Sequence, residues 1–182
     1  MRTGTDVTNG AARLRLRPYT AHDEAAAREG NEVMKKEGSR LLFYLEEGMS
    51  WDRWLTLIDQ HRRRLNLSVG VVPATQLAAD VDGVIVGSTR VRFSLNKELE
   101  RTGGHVGYGV LPAHRGRGYA TEMLRQGLVI ARSQGVERVL VTCLDDNLAS
   151  KRVIEKCGGE LEGVIEIDGP TGPQTLRRYW LT

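Results

Sequence analysis

The sequence has few of the features that mark secreted, membrane-bound or metal-binding proteins. Its 182 residues include two cysteines, Cys143 and Cys157, whose separation fits neither a CxxC motif nor a metal-ligand pair. No apolar run approaches the roughly 20 residues that a membrane span requires, and the N-terminus lacks the apolar segment of a signal peptide. We therefore expect a cytoplasmic protein with reduced thiols, no metal site and no membrane partner.

A strong charge of either sign is also missing. The 26 basic and 23 acidic side chains leave a net charge of +3, which is compatible with an anionic ligand but too small to indicate nucleic-acid binding. The basic run from His61 to Arg64 is typical of a solvated helix end, where the helix dipole favours cations. No aromatic residues interleave with this run, as a surface for single-stranded nucleic acid would require. We expect no nucleic-acid partner.

Length and hydrophobic periodicity predict one domain over residues 12–182, preceded by a flexible polar tail over residues 1–11. Asp82-Gly83, between two alternating apolar runs, predicts a β-hairpin. The order of strand and helix patterns indicates an α/β fold. The predicted strands are 12–17, 75–81, 84–94, 105–110, 138–143, 160–167 and 174–181, and the predicted helices are 20–36, 51–64, one ended by Gly135, and 147–156.

The most informative segment is Val110-Leu-Pro-Ala-His-Arg-Gly-Arg-Gly-Tyr-Ala-Thr121. A strand pattern gives way to a helical pattern after Gly118, so a short loop lies at a helix N-terminus, where backbone N–H groups lack partners and the dipole is positive. Gly116 removes a side chain from the path of a ligand, and Arg115 and Arg117 add charge and forked donors. The segment predicts a site for a phosphorylated ligand. The alternative is a glycine-rich helix cap with chance arginines.

Two further patterns flank this loop. Gly107 and Gly109 share one face of the preceding strand, where missing side chains favour the close approach of an extended ligand. After the next strand, Asn147 is placed to cap a helix that Gly158 ends. For the glycines the alternative is a weak strand packed under a helix, and for Asn147 it is capping alone.

Together these segments resemble the GNAT superfamily of acyl-CoA-dependent N-acetyltransferases. Arg115-Gly-Arg-Gly-Tyr-Ala120 matches the family pattern Arg/Gln-x-x-Gly-x-Gly/Ala, and Asn147, Ser150 and Lys156-Cys-Gly158 match a second family pattern. The resemblance implies a mixed, mostly antiparallel sheet with helices on both faces and a central, splayed pair of parallel strands, the first of which carries a bulge. The cofactor would be acetyl-CoA, with its pantetheine arm in the gap between those strands. The residues implied to bind coenzyme A are Val110, Arg115, Gly116, Arg117, Gly118, Tyr119, Ala120, Thr121, Asn147 and Ser150.

One position departs from the family. Many members have a tyrosine that protonates the departing thiolate at the position that is Ile154 here, so the usual acid is missing. His105, which titrates near neutrality and lies on the strand beside the expected thioester, is the first candidate for a catalytic base. Tyr108 is the candidate acid or hydrogen-bond donor. The alternative for His105 is a surface histidine at the start of a strand, and the alternative for Tyr108 is an aromatic residue of the core.

The predicted reaction is direct transfer of an acetyl group to a primary amine of a small molecule or peptide. Acidic and aromatic side chains near the first two helices would receive a cationic amine, and the alternative for each is an ordinary core or rim position. A non-catalytic acyl-CoA sensor is the alternative function, suggested by Ile154. Since members of the family are often dimers, a homodimer stays open. The candidate acceptor residues are Tyr44, Glu46, Glu47 and Trp51.

Overall fold

The computed structural model describes residues 13–169 and 172–182. The predicted tail over residues 1–11 lies outside the described residues. No helix in these ranges is long and apolar enough to cross a membrane. The elements are β1 (Arg15–Pro18), α1 (Glu24–Lys36), α2 (Trp51–Arg62), β2 (Ala74–Val81), β3 (Val84–Arg92), β4 (Val106–Val110), α3 (Tyr119–Ser133), β5 (Val139–Leu144), α4 (Leu148–Lys156), β6 (Glu160–Gly169) and β7 (Gly172–Leu181).

The first four strands form an antiparallel sheet in the order β1-β2-β3-β4. The predicted hairpin between β2 and β3 is confirmed, since Asp82 and Gly83 both adopt left-handed backbone angles, with φ of 53° and 85°. Such a pair is what a tight two-residue hairpin turn requires. The pairing of β3 with β4 runs without a register shift from Val91 opposite Val106 to Gly87 opposite Val110. The bulge expected in β4 is therefore not found in its pairing with β3.

The last three strands form a second antiparallel sheet in the order β5-β7-β6. The two sheets meet at the N-terminal ends of β4 and β5. There the His105 backbone N–H donates to the Leu140 carbonyl oxygen at 2.7 Å, and the Leu140 N–H donates to His105 Nδ1 at 2.9 Å. Helix α3 connects these two strands along the chain, as the helix of a βαβ unit does. The expected splayed pair at the centre of a mostly antiparallel architecture is confirmed.

Helices cover both faces of the first sheet. On one face, Leu124 and Leu128 of α3 pack with Val91 and Val106, and a side chain at Gly127 would lie 3.0 Å from Val106 Cγ1. This close approach holds the middle of α3 against the start of β4. The other face packs against α1, α2 and the segment between them through Tyr19, Ala27, Met34, Leu41, Leu42, Trp51, Trp54, Ala78 and Ile85.

A charged network fixes the start of α1 to the edge of the first sheet. The Arg17 guanidinium donates to both Asp23 carboxylate oxygens, at 2.8 and 2.9 Å, and its Nε donates to Asp80 at 3.0 Å. The Thr20 backbone N–H and hydroxyl also donate to Asp23. These donors favour the ionised carboxylate and lower the pKa of Asp23 from 3.8 to about 2. Since the C-terminal end of α1 borders the cleft described below, this network helps to position the site.

We predict that Asp23→Asn lowers the free energy of unfolding by about 2 kcal/mol at neutral pH. Because the pKa of Asp23 is lower in the folded state, its contribution is complete above about pH 4 and is lost as the pH falls towards 2. The difference between the native protein and the variant should therefore shrink by about half at pH 3. Urea unfolding at pH 7 and pH 3 measures both values.

Asp82→Asn is the matched control. Asp82 pairs with Arg13 in an exposed ion pair, with side-chain exposures of 54% and 60%, and such pairs contribute little. We expect a change within about 0.5 kcal/mol at both pH values. An equal loss in the two variants would contradict the role assigned to Asp23.

Candidate active site

A cleft of about 670 Å³ opens where β4 and β5 separate. One wall is the end of β4 and the loop that follows it, and the other is the first turns of α4. The C-terminal end of α1 borders its mouth through Met34 and Glu37. Of the ten residues predicted to bind a cofactor, nine line this cleft, namely Val110, Arg115, Gly116, Gly118, Tyr119, Ala120, Thr121, Asn147 and Ser150.

Two left-handed glycines shape the loop before α3. Gly116 and Gly118 have φ of 76° and 79°, a region that other residues enter at a cost. Gly118 is the N-cap of α3, which begins at Tyr119. The first N–H groups of a helix have no intrahelical acceptor, so the start of α3 presents donors and the positive end of the dipole to the cleft. The arrangement suits a phosphorylated ligand.

The two arginines of the loop differ in position. Arg115 borders the cleft, where its Nη2 lies 2.5 Å from Glu37 Oε2 and its Nε donates to the Val110 carbonyl oxygen at 3.1 Å. Arg117 is exposed and reaches back to the Ala113 carbonyl oxygen at 3.4 Å. Arg117, which was predicted to bind the cofactor, is not among the residues that line the cleft, because its side chain folds onto its own loop.

The free edge of β4 forms the floor of the cleft. Hydrogen-bonded pairs alternate along antiparallel strands. Arg92 N–H donates to the His105 carbonyl oxygen at 2.7 Å, and Leu111 N–H donates to the Val86 carbonyl oxygen at 2.9 Å, so odd-numbered residues of β4 bond to β3. The N–H groups of Tyr108 and Val110 therefore point away from β3, towards the gap beside β5. They are available to an extended ligand or to an oxygen that gains negative charge.

A hydrogen bond crosses the cleft from β4 to α4. The Tyr108 hydroxyl lies 2.9 Å from Ser150 Oγ, and both residues line the cleft. Burial raises the pKa of Tyr108 well above its usual value, so the phenol keeps its proton at neutral pH. Ile154, by contrast, is fully buried in the core cluster beneath the cleft. The described structure thus has a hydroxyl pair on the cleft wall and no polar group at residue 154.

The N-terminus of α4 follows the sequence prediction. Asn147 is the N-cap, and its side-chain oxygen accepts from the Ser150 N–H at 3.0 Å. Sequence reasoning missed Arg152, which also lines the cleft with Ala149 and Val153. Positions 149, 152 and 153 share one helical face, so helical spacing from the cap could have identified them. The contribution of α1 through Glu37 had no local signal in the sequence.

His105 is not placed in the cleft. It is buried at the junction of the two sheets, 8% exposed, and its Nδ1 accepts the Leu140 N–H. Burial and the nearby positive charge of Arg92 lower the pKa of His105 to about 4. The imidazole is therefore a neutral junction group, and its position does not suit the catalytic base predicted from the sequence.

The predicted acceptor residues are not brought together. Trp51 is 3% exposed, stacks on Trp54 with ring centroids 4.5 Å apart and donates its indole N–H to the Thr20 carbonyl oxygen, so it belongs to the core and not to an acceptor site. Glu46 and Glu47 are exposed and are not among the residues that line the cleft.

Tyr44 is not among the residues that line the cleft either. Its hydroxyl accepts from Arg90 Nη2 at 2.6 Å, and it lines a small cavity with His61 and Gln76.

No group of three or more His, Cys, Asp or Glu side chains that could hold a metal ion occurs among residues 13–169 and 172–182. Cys143 and Cys157 are free thiols.

Solved structures with the same fold include several acetyltransferases. The yncA protein from Salmonella typhimurium, solved with its cofactor acetyl-CoA, is 18% identical, with 93% of this chain and 94% of that chain covered and a TM-score of 0.65. Mycobacterium smegmatis RimJ, in complex with CoA-disulfide, is 21% identical, with coverages of 92% and 81% and a TM-score of 0.65. RimL, a ribosomal L7/L12 alpha-N-protein acetyltransferase in complex with coenzyme A, is 17% identical, with both coverages 93% and a TM-score of 0.67.

At these identities the likeness is one of fold. No curated protein matches the sequence. The family model for the acetyltransferase (GNAT) domain matches residues 13–160, which include the glycine loop, the free edge of β4 and the N-terminus of α4. The chain belongs to the GNAT acetyltransferase family.

Proposed function

We propose that this acetyltransferase moves the acetyl group of acetyl-CoA to a primary amine of a small molecule or peptide. The observation that carries the proposal is the continuity of the cleft. It joins the donor-rich start of α3 to the free edge of β4 and to the Tyr108–Ser150 pair. A phosphate group, an extended amide chain and a reacting group can each meet suitable atoms along one path.

The residues fit coenzyme A. The left-handed backbone at Gly116 and Gly118 and the N–H groups at the start of α3 would hold the pyrophosphate. His114 and Arg152 line the same cleft and would add donors for phosphate oxygens. The outward N–H groups of Tyr108 and Val110 would hydrogen-bond to the pantetheine amides and the thioester oxygen. The bound coenzymes of yncA and RimL support this assignment.

Acetyl-CoA supplies an activated acetyl group as a thioester, and the protein must position an amine beside it. An alkyl amine has a pKa near 10.4 and must lose its proton before it can attack. Since His105 is buried at the sheet junction, we infer that desolvation and neighbouring positive charge, rather than a dedicated base, favour the neutral amine. Close positioning of the two reactants supplies much of the remaining rate.

We assign to Tyr108 the proton that the leaving thiolate gains, and the Tyr108 oxygen regains a proton from the amine nitrogen as the amide forms. Its hydroxyl is held by Ser150 Oγ at 2.9 Å, and its raised pKa keeps the proton on Oη at neutral pH. The pair lies in the cleft, whereas Ile154 is buried in the core. Tyr108 would thus replace, from the opposite wall, the tyrosine that many family members carry at the position of Ile154. The sensor alternative was suggested by the missing acid at Ile154. If Tyr108 supplies the proton, Ile154 no longer favours a non-catalytic acyl-CoA sensor.

The reaction is tested with acetyl-CoA and a panel of primary amines, by following thiol release and detecting the N-acetyl product by mass spectrometry. We expect product that scales with enzyme concentration for at least one amine. Tight coenzyme A binding without product from any member of the panel would overturn the proposed transfer and leave the binding function.

Substitution of Gly118, at the start of α3, tests whether the loop backbone binds coenzyme A. Gly118→Ala should lower the affinity for coenzyme A at least 10-fold, because a Cβ would enter the surface that meets the pyrophosphate and would strain a backbone with φ of 79°. Isothermal titration with coenzyme A, and with pantetheine as the ligand without phosphates, measures the effect.

Gly135→Ala is the control for that variant. Gly135 has φ of 87° and follows the other end of α3, so both substitutions should destabilise the fold by about 1 kcal/mol. Coenzyme affinity should be unchanged in Gly135→Ala. Equal affinities in the two variants would mean that the loop backbone does not bind the coenzyme.

Tyr108→Phe tests the proton donor. We expect kcat for the best amine of the panel to fall about 10- to 100-fold, with coenzyme A affinity changed less than threefold. The fall in kcat should be closer to about 10-fold than to 100-fold, because a thiolate with a pKa near 8.5 is a fairly stable leaving group. Ser150→Ala should lower kcat less, since the phenol remains.

Tyr179→Phe is the matched tyrosine control. Tyr179 is buried in the core, where its hydroxyl donates to Glu155 at 3.3 Å, and we expect kcat to be retained. Full kcat in Tyr108→Phe would refute its role as the acid.

A further inference from the structure

Two buried arginines on β3 lack an acidic partner. Arg90 and Arg92 are 5% and 8% exposed, and they project from the same face of the strand because they are two residues apart. Within residues 13–169 and 172–182, every Asp or Glu in an ion pair is paired with another cation. A buried cation is costly unless its charge is compensated, so the pair calls for an explanation.

The groups that surround these arginines in the described structure are neutral. The Arg90 guanidinium stacks on the rings of Phe43 and Tyr44, 4.9 and 4.6 Å from their centroids. Arg92 Nη1 donates to the carbonyl oxygens of Gly103 and Gly104, and its Nε is buried without a hydrogen-bond partner. Rings and carbonyls orient the guanidinium groups but provide no negative charge.

The neighbouring histidines, His61 and His105, do not change the net positive charge of this region. His61 is buried 4.8 Å from Tyr44, measured between ring centroids, and burial together with the charge of Arg90 lowers its pKa. Burial and Arg92 lower the pKa of His105 to about 4. Both rings are therefore neutral at pH 7, and the region keeps the positive charge of the two arginines.

Arg90 borders a cavity that suits an anionic oxygen. The cavity, of about 10 Å³, is also lined by Tyr44, His61, Thr75 and Gln76. The two hydroxyl groups and the imidazole can donate hydrogen bonds to it, whereas the Gln76 amide nitrogen already donates to the Leu41 carbonyl oxygen and to Ser88 Oγ. Its volume corresponds to about one water molecule. An oxygen of a small anion would fit this space, whereas a whole side chain would not.

This cavity lies on the face of the first sheet that packs against α1 and α2, because Ile58 of α2 also lines it. The register of the sheet places Arg90 opposite Gly107, and a Cβ added at Gly107 would meet nothing within 4 Å. Gly107 is two residues from Gly109, which lines the cleft, and two residues span about 7 Å of strand. A short molecule over Gly107 could therefore reach Arg90 at one end and the cleft at the other.

We propose that Arg90, with Arg92 beside it, binds a carboxylate of the acceptor. The acceptor would then be a small molecule of the amino-acid class, with its amine a few bonds from the carboxylate. This inference rests on the proposed acetyl transfer and specifies its substrate class. The guanidinium fork matches a carboxylate, and the same positive charge disfavours protonation of an amine held nearby.

The test compares ligands that differ in one charge. The twenty L-amino acids and their carboxamides are added to the full protein in the presence of coenzyme A, and thermal unfolding is followed. We expect at least one amino acid to raise Tm clearly more than its carboxamide does. The best pair is then compared as acceptors of acetyl-CoA, and we expect kcat/KM to be about 10- to 100-fold higher for the acid.

Variants assign the effect to Arg90. Arg90→Met keeps the length of the side chain and removes its charge, and Arg90→Lys keeps the charge without the fork. We expect the preference for the carboxylate to disappear in the first and to weaken in the second. Arg138→Met is the matched control, because Arg138 stacks on Trp180 at 4.7 Å but is exposed and not among the residues that line the cleft.

The outcomes separate this inference from the proposed function. If no amino acid stabilises the protein more than its carboxamide, or if Arg90→Met keeps the preference, carboxylate recognition is overturned, even when amines are acetylated. If an amino acid binds through Arg90 but no amine is acetylated, carboxylate recognition stands as binding and the transfer fails. If Arg90→Met does not fold, carboxylate recognition is judged from Arg90→Lys and from the comparison of each amino acid with its carboxamide.

Discussion

The cleft beside β4 depends on a junction of two hydrogen bonds between the sheets. At one end of β4, His105 and Leu140 exchange them, through the His105 N–H and its Nδ1. Beyond this point β4 has no ladder partner on its second edge among the described strands, so its N–H groups at Tyr108 and Val110 face an open gap. A neutral imidazole is required, because a protonated Nδ1 could not accept the Leu140 N–H. The low pKa of His105 is therefore a condition of the architecture rather than a sign of base catalysis.

Features written in a short stretch of chain could be predicted from the sequence. The glycine-containing loop, the helix start after Gly118 and the cap at Asn147 depend on neighbours within a few residues, and the Asp82-Gly83 hairpin is of the same kind. Contacts between distant segments had no such signal. Arg115 meets Glu37 across 78 positions, and Tyr108 meets Ser150 across 42. Trp51 looked available for a ligand because aromatic side chains serve cores and binding sites equally well, and packing against Trp54 decides between them.

The position of the candidate proton donor also could not be predicted from one segment of the sequence. Sequence comparison places the usual acid on α4, where Ile154 instead fills the core against Val141 and Tyr179. The hydroxyl that reaches the cleft comes from β4, at Tyr108, and α4 contributes the shorter Ser150. A motif fixes residue types along one segment, whereas a proton donor is defined by the atom that it can reach. Loss of a motif residue therefore says little about activity until the facing wall is known.

Charge connects the two halves of the proposed reaction. At the coenzyme end, the start of α3, the cations Arg115 and Arg152 and the imidazole of His114 suit phosphate groups. At the acceptor end, Arg90 and Arg92 are buried beside neutral rings, and neither forms an ion pair with a carboxylate of the described residues. A cationic amine alone would be repelled by this surface. An amine that arrives with its own carboxylate brings the missing counter-charge, and once the carboxylate is bound, the remaining positive field favours the neutral amine that the transfer needs.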